Sequence, residues 1–157
     1  MIGLRLIIAA VLLTATASLA AEVKPSTPVA GDKCPVCGMF VAKYPDFLAE
    51  IVFQDGSHAF FDGVKDMMKY YFDLPKYGPA KKQGDIAAIF VNDYYSLTPT
   101  DGLTAYYIEG SNVYGPMGKE LIPFKAEAEA KDFMKDHAGK FLYRFNDITP
   151  KVLKPLD

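Results

Sequence analysis

Twice along this chain the apolar residues alternate, break at a turn, switch to helical spacing and return as a short strand-like run. From Leu48, alternation puts Ala49, Ile51 and Phe53 on one face and Glu50, Val52 and Gln54 on the other, the pattern of a half-buried strand. Asp55-Gly56 is a two-residue hairpin signal; it predicts that Ser57 to Phe61 returns antiparallel, with His58 opposite Phe53. Asp62 suits an N-cap, followed by Val64, Met67, Met68 and Tyr71 at helical spacing and stopped by Pro75. Ile86 to Asn92 then reads as a buried strand. In the second pass, Leu103 to Glu109 alternates, Gly110-Ser111-Asn112 turns, and Lys119 to Phe124 returns. Ala126, Ala130, Phe133, Met134 and His137 fit a helix that ends at Gly139 as its C′ residue. Lys140 to Phe145 closes the half, with Phe141, Tyr143 and Phe145 on one face. The expectation is an α+β fold of two similar ββαβ halves packed together, 34–98 and 99–150, joined around Tyr94 to Gly102, with a tail at 151–157.

A chain of 157 residues, half of them hydrophobic and 21 of them Phe or Tyr, has the material for one packed domain. Its net charge of -2 and lack of a basic run exclude a nucleic-acid partner. Met1 to Arg5, an apolar run from Leu6 to Ala17, and Ser18-Leu19-Ala20 together read as a signal peptide, 1–20, cleaved after Ala20. The apolar run is shorter than the ~20 residues of a spanning helix, so no stable membrane insertion is expected. No cysteine lies near the cleavage point, so the mature protein is expected in the periplasm and not as a lipoprotein. Residues 21–33, with Pro25, Ser26, Thr27, Pro28 and Gly31, read as a flexible leader.

The chemistry is concentrated in Cys34-Pro35-Val36-Cys37-Gly38-Met39, which holds both cysteines of the chain. As a zinc knuckle it lacks ligands: a structural zinc takes four, no further cysteine exists, and His58 and His137 would have to complete the set. As a thioredoxin-like thiol oxidoreductase it lacks a preceding strand and a helix opening at the motif, since a Pro/Ser/Thr leader comes before it and Pro45 soon after. As a soft-metal site it combines thiolate with the thioether of Met39, a donor set that selects Cu(I) over Zn(II). Met117, between Gly115-Pro116 and Gly118, belongs to a loop with little packing to do, which also suits a ligand. A disulfide, or a turn with methionine as filler, is the remaining reading. Met67, Met68 and Met134 sit at helical core spacing, His137 completes an apolar stripe, and His58 is either a satisfied interior residue or a reserve ligand. No Ser/His/Asp order, phosphate-cradling loop or carboxylate pair supports hydrolysis or phosphoryl transfer.

Cys37-Gly38-Met39, Phe61-Asp62-Gly63 with Asp66, and Val91-Asn92-Asp93 resemble the NosL family of nitrous-oxide-reductase accessory proteins. So do Tyr107-Ile108, Gly110-Ser111, Pro116-Met117-Gly118, and Phe124 followed by Ala130 and Phe133, in matching order from about Cys34 to about Pro150. The resemblance implies a periplasmic Cu(I)-binding metallochaperone, not an enzyme, that delivers copper while nitrous oxide reductase is assembled. It implies as partners an ABC-type membrane system and its periplasmic subunit, and a monomer with a double ββαβ fold similar to organomercurial lyase. It carries the copper ligands onto Cys37, Met39 and Met117, with Cys34 matching a subset of members. Many members are lipoproteins, whereas this chain offers no cysteine to acylate and is expected to reach its partner by diffusion.

Overall fold

The computed structural model describes residues 22–157; the expected signal peptide and its cleavage site lie outside the described residues. In chain order the elements are β1 (Ala49–Phe53), β2 (His58–Phe61), α1 (Val64–Phe72), α2 (Leu74–Tyr77), β3 (Ile86–Asn92) and β4 (Pro99–Asp101). There follow β5 (Tyr106–Glu109), β6 (Tyr114–Gly115), β7 (Gly118–Lys119), β8 (Ile122–Phe124), α3 (Glu127–Asp136), β9 (Phe141–Arg144) and α4 (Pro150–Leu153). The strands form an antiparallel sheet β2-β1-β3-β4, a second β8-β5-β9, and a small ribbon β6-β7. It is a mixed helix-and-sheet protein, as expected.

Helix α1 forms where helical spacing is strongest, and it buries Val64, Met67 and Met68 completely or nearly so. Each buried methionine stabilises the fold by roughly 1.5–3 kcal/mol, so the core role expected of Met67 and Met68 holds. These residues meet Ile51, Phe53, Phe61 and Ile89 in one core, to which the second sheet contributes Tyr107. The opposite face of β5 gives Ile108 to a smaller core with Ile122, Phe124, Ala130 and Phe133. The second sheet is thus covered on both faces, by α3 on one side and the first core on the other.

The β1–β2 hairpin differs from its expected register. Phe53 N–H donates to Ser57 O at 2.9 Å and Gly56, at φ +79, occupies the left-handed position of a three-residue loop. That one extra loop residue sets His58 opposite Val52, not Phe53, and moves it to the face away from Ile51. Nor is His58 an interior group: it is part-exposed, and its Nδ1 meets the buried Glu50 Oε1 at 2.6 Å. Glu50 Oε2 also accepts the Ser26 N–H at 2.9 Å, so part of the presumed flexible leader lies against the sheet, and β1 is buried on both faces.

Three further expectations change. Asp62 is not the N-cap of α1; Gly63 is, without a side-chain cap of its own. At the end of α3 the left-handed residue is Ala138 (φ 54), while Gly139 follows it and donates to Met134 O at 2.8 Å. Glycine is needed there for space, since a Cβ would lie 2.6 Å from Ile108 Cγ2. In the tail, 151–157, Leu153 and Leu156 are buried in the first core, and α4 packs on α1. β4 pairs with β3, so residues 99–101 belong to the first sheet. Among the described residues no helix is long and apolar enough to cross a membrane.

Candidate metal centre

The segment 32–41 closes on itself. Val41 N–H donates to Asp32 O, Cys34 N–H to Met39 O and Gly38 N–H to Cys34 O, all at 2.9 to 3.0 Å, with Gly38 at φ +80. The amides of Val36 and Cys37 are thereby turned to the Cys34 sulfur, and that of Met39 to the Cys37 sulfur, each favouring a thiolate. Cys34 is buried, Cys37 half-buried, and both are free thiols.

The knuckle sits against the start of α1, where two carboxylates face it. Cys37 Sγ donates to Asp62 Oδ1 at 3.1 Å and Cys34 Sγ to Asp66 Oδ2 at 3.5 Å. One ligand atom from each of the four residues lies within 4.8 Å of all the others. Both aspartates are buried, and Asp62 Oδ2 has no hydrogen-bond partner among the described residues. Burial pushes the Cys34 thiol up to about 11, with a smaller upward push from Asp62, against the knuckle amides. Cys37 is raised further, again by burial first and then by Asp62. Near neutral pH both sulfurs therefore carry protons, which a bound cation displaces.

Asp62 is free to face the sulfurs because another residue caps the helix. Glu120, buried between β7 and β8, accepts the Lys65 N–H at 2.5 Å and the Leu121 N–H at 2.9 Å through Oε1. Burial pushes its carboxyl from 4.5 up to about 8, against the pull of the two amides and the Lys65 ammonium. The folded protein therefore keeps this proton to higher pH than the unfolded chain, and stability falls as pH rises from 4.5 to 8. Between pH 6 and 7.5 the expected loss is about 2 kcal/mol, read from denaturant unfolding. Glu120→Gln removes this slope; a slope unchanged in that variant refutes the assignment.

Lys65, also buried, donates from Nζ to the carbonyls of Met117 (2.9 Å) and Leu156 (3.0 Å). The first contact docks the turn between β6 and β7 against α1, with the Met117 side chain 46% exposed at its tip. Of the residues singled out in the sequence, the two cysteines come together, Met39 flanks them half-buried, and Met117 lies on the ribbon that Lys65 holds. His58 pairs with Glu50, and His137 stacks on Phe133 with centroids 4.4 Å apart. The two aspartates escaped the sequence reading as donors. Their nearness in sequence, four residues apart around the start of the helix, was the available signal.

Two sulfurs and two carboxylate oxygens converge in a grouping that could hold a metal ion. By class, then, fold and site describe an α+β protein with a candidate metal centre. The chain belongs to the NosL family, which it matches over residues 25–153. The copper-binding lipoprotein NosL of Stutzerimonas stutzeri is 29% identical over 131 residues, 78% of this chain and 65% of that relative. The chain thus spans just under two thirds of that relative's length. The crystal structure of the copper chaperone NosL from Shewanella denitrificans has the same fold, with a TM-score of 0.63 at 24% identity, covering 81% of this chain and 99% of that one. The solution structure of the apo-NosL protein from Achromobacter cycloclastes aligns at 27% identity over 67% of this chain and 87% of that one, with a TM-score of 0.47.

Proposed function

We propose that this protein is a periplasmic Cu(I) carrier without enzymatic activity, and that Cys37, Met39 and Met117 hold the ion with Cys34 beside them. The observation that carries the reading is the knuckle itself: it gathers two sulfurs and Met39 in one closed turn in a chain of the NosL family. Thiolate and thioether together prefer Cu(I) to harder ions. The cargo would pass to a copper enzyme during its assembly, nitrous oxide reductase, through an ABC-type membrane system with a periplasmic subunit. In support of a non-acylated protein, both cysteines are committed to the knuckle and Cys34 is buried there. We also read the two strand-strand-helix-strand runs as related halves, a view favoured by their like strand orders, β2-β1-β3 and β8-β5-β9.

Met117 is the part of this ligand set that most needs the fold. The Lys65 contact favours its reaching the knuckle, since Lys65 and Asp66 are neighbours in the first turn of α1. Met117→Leu keeps volume and apolar character but removes the sulfur. Stability should change by less than about 1.5 kcal/mol, while Cu(I) affinity, read by competition with a chelator under reducing conditions, falls at least about tenfold. Parent-like copper binding in this variant would restrict the site to the knuckle.

A further inference from the structure

We propose that Cys34, Cys37, Asp62 and Asp66 form a four-donor site for a divalent cation of the zinc type, chemically distinct from the sulfur-only seat for Cu(I). The sequence leaves a zinc knuckle two ligands short when cysteine alone is counted, and both histidines pair elsewhere; the fold supplies two carboxylates. Zinc takes thiolate sulfur at about 2.3 Å and carboxylate oxygen at about 2.0–2.2 Å in a tetrahedron, whose sulfur–oxygen edge is then about 3.5 Å. The two sulfur–oxygen pairs already stand at 3.1 and 3.5 Å, and all four ligand atoms fit within 4.8 Å of one another. Small adjustments of side chains close that set around an ion.

A second observation points to a ligand. Asp62 is 1% exposed, one of its oxygens accepts from Cys37, and the other has no partner among the described residues. An unsatisfied buried carboxylate oxygen is destabilising, and a cation between it and the sulfurs removes that cost. Positive charge reaches the group from the N-terminus of α1 and from Lys69, 3.8 Å from Asp66. Two thiolates and two carboxylates therefore favour a doubly charged ion over a singly charged one.

Donor type narrows the choice further. Hard Mg(II) and Ca(II) gain nothing from thiolate, and soft Cu(I) gains little from carboxylate, whereas Zn(II) accepts both. Three donors are buried and the fourth, Cys37, is half-buried, so Cys37 is the donor through which the two metals compete. The expectation that Zn(II) binds far more weakly than Cu(I) came from the sulfur donors alone. The carboxylates give zinc a seat of its own.

The test uses the reduced full-length mature protein, titrated without oxygen with Co(II) as a visible stand-in for Zn(II), and separately with Cu(I) against a chelator. The parent should take one Co(II) with a thiolate-to-cobalt charge-transfer band, and Zn(II) should displace it. Asp62→Asn and Asp66→Asn should each weaken Co(II) and Zn(II) at least about tenfold and leave Cu(I) within about twofold. Met117→Leu should do the reverse. X-ray absorption of the zinc-loaded parent, which needs no variant, should show two sulfur and two oxygen neighbours. A parent that takes Co(II) but no Cu(I) supports this site and counts against the copper reading alone. Absence of the charge-transfer band, an all-oxygen or histidine-containing zinc shell, or Asp→Asn variants that retain parental Co(II) affinity overturn the proposal. So does Cu(I) affinity falling in step with Co(II) in those variants, because the carboxylates would then serve one copper site.

Discussion

Cys37→Ser is expected to lower Cu(I) affinity on the order of a thousandfold, about 4 kcal/mol. Cys37 is the one charged donor among the three residues that match the family motif, and it is the sulfur partly open to solvent. Serine keeps the size but offers a hydroxyl that Cu(I) scarcely favours and that does not ionise near neutral pH. Cys34→Ser should do less, because Cys34 is buried behind the turn and hydrogen-bonded to Asp66. The expected order of damage is Cys37, then Met117, then Cys34, measured by chelator competition with the thiols kept reduced. Parental affinity should also weaken as pH falls, since the cation must displace protons held by thiols that burial has raised. Equal losses from the two serine variants would mean a two-thiolate copper site without need of either methionine.

Gly63→Ala is expected to destabilise the protein by about 4 kcal/mol, the largest loss foreseen for a single methyl group here. The backbone of Gly63 is ordinary extended chain, so conformation is not the cause. Space is the cause: a Cβ would stand 3.0 Å from Glu120 Cδ and nearer still to Oε2. Since Glu120 is fully enclosed, its carboxylate would have to leave, and the amides of Lys65 and Leu121 would lose their acceptor. Urea unfolding of the metal-free protein measures the effect. Reducing the bulk at position 120 at the same time, Gly63→Ala with Glu120→Ala, should be less than additive, because each change disrupts the same contact. A fully additive pair would mean that Gly63 matters for some other reason.

Where one strong local pattern sufficed, sequence and structure agree. Ile86–Asn92 is a strand residue for residue, and α1 begins at Val64 where the apolar spacing turns helical. Disagreements arise where two local solutions have nearly equal merit. Asp55-Gly56 serves a two-residue or a three-residue loop, and glycine adopts a left-handed conformation in either; only the paired strands decide. Asp62 at a helix start reads as a cap because its competitor, Glu120, bonds Lys65 from 55 residues further on. The donor set shows the same division. Its sulfurs are adjacent in sequence and legible as chemistry, while its carboxylates become donors only because the fold relieves them of capping and turns them inward.

The Lys65 ammonium grips the carbonyls of Met117 and Leu156, 52 and 91 residues downstream. Chain growth gives that tie a direction in time. A polypeptide emerging from its N-terminus has made Cys34, Cys37, Asp62 and Asp66 well before Glu120 and Leu156, which tie the later part of the chain to the first turn of α1. The backbone bonds that close the knuckle lie within 32–41, while its sulfurs take their carboxylate partners from 62 and 66 and their packing from the first core. The residues that hold the start of α1 in place are therefore the last of the set to be made.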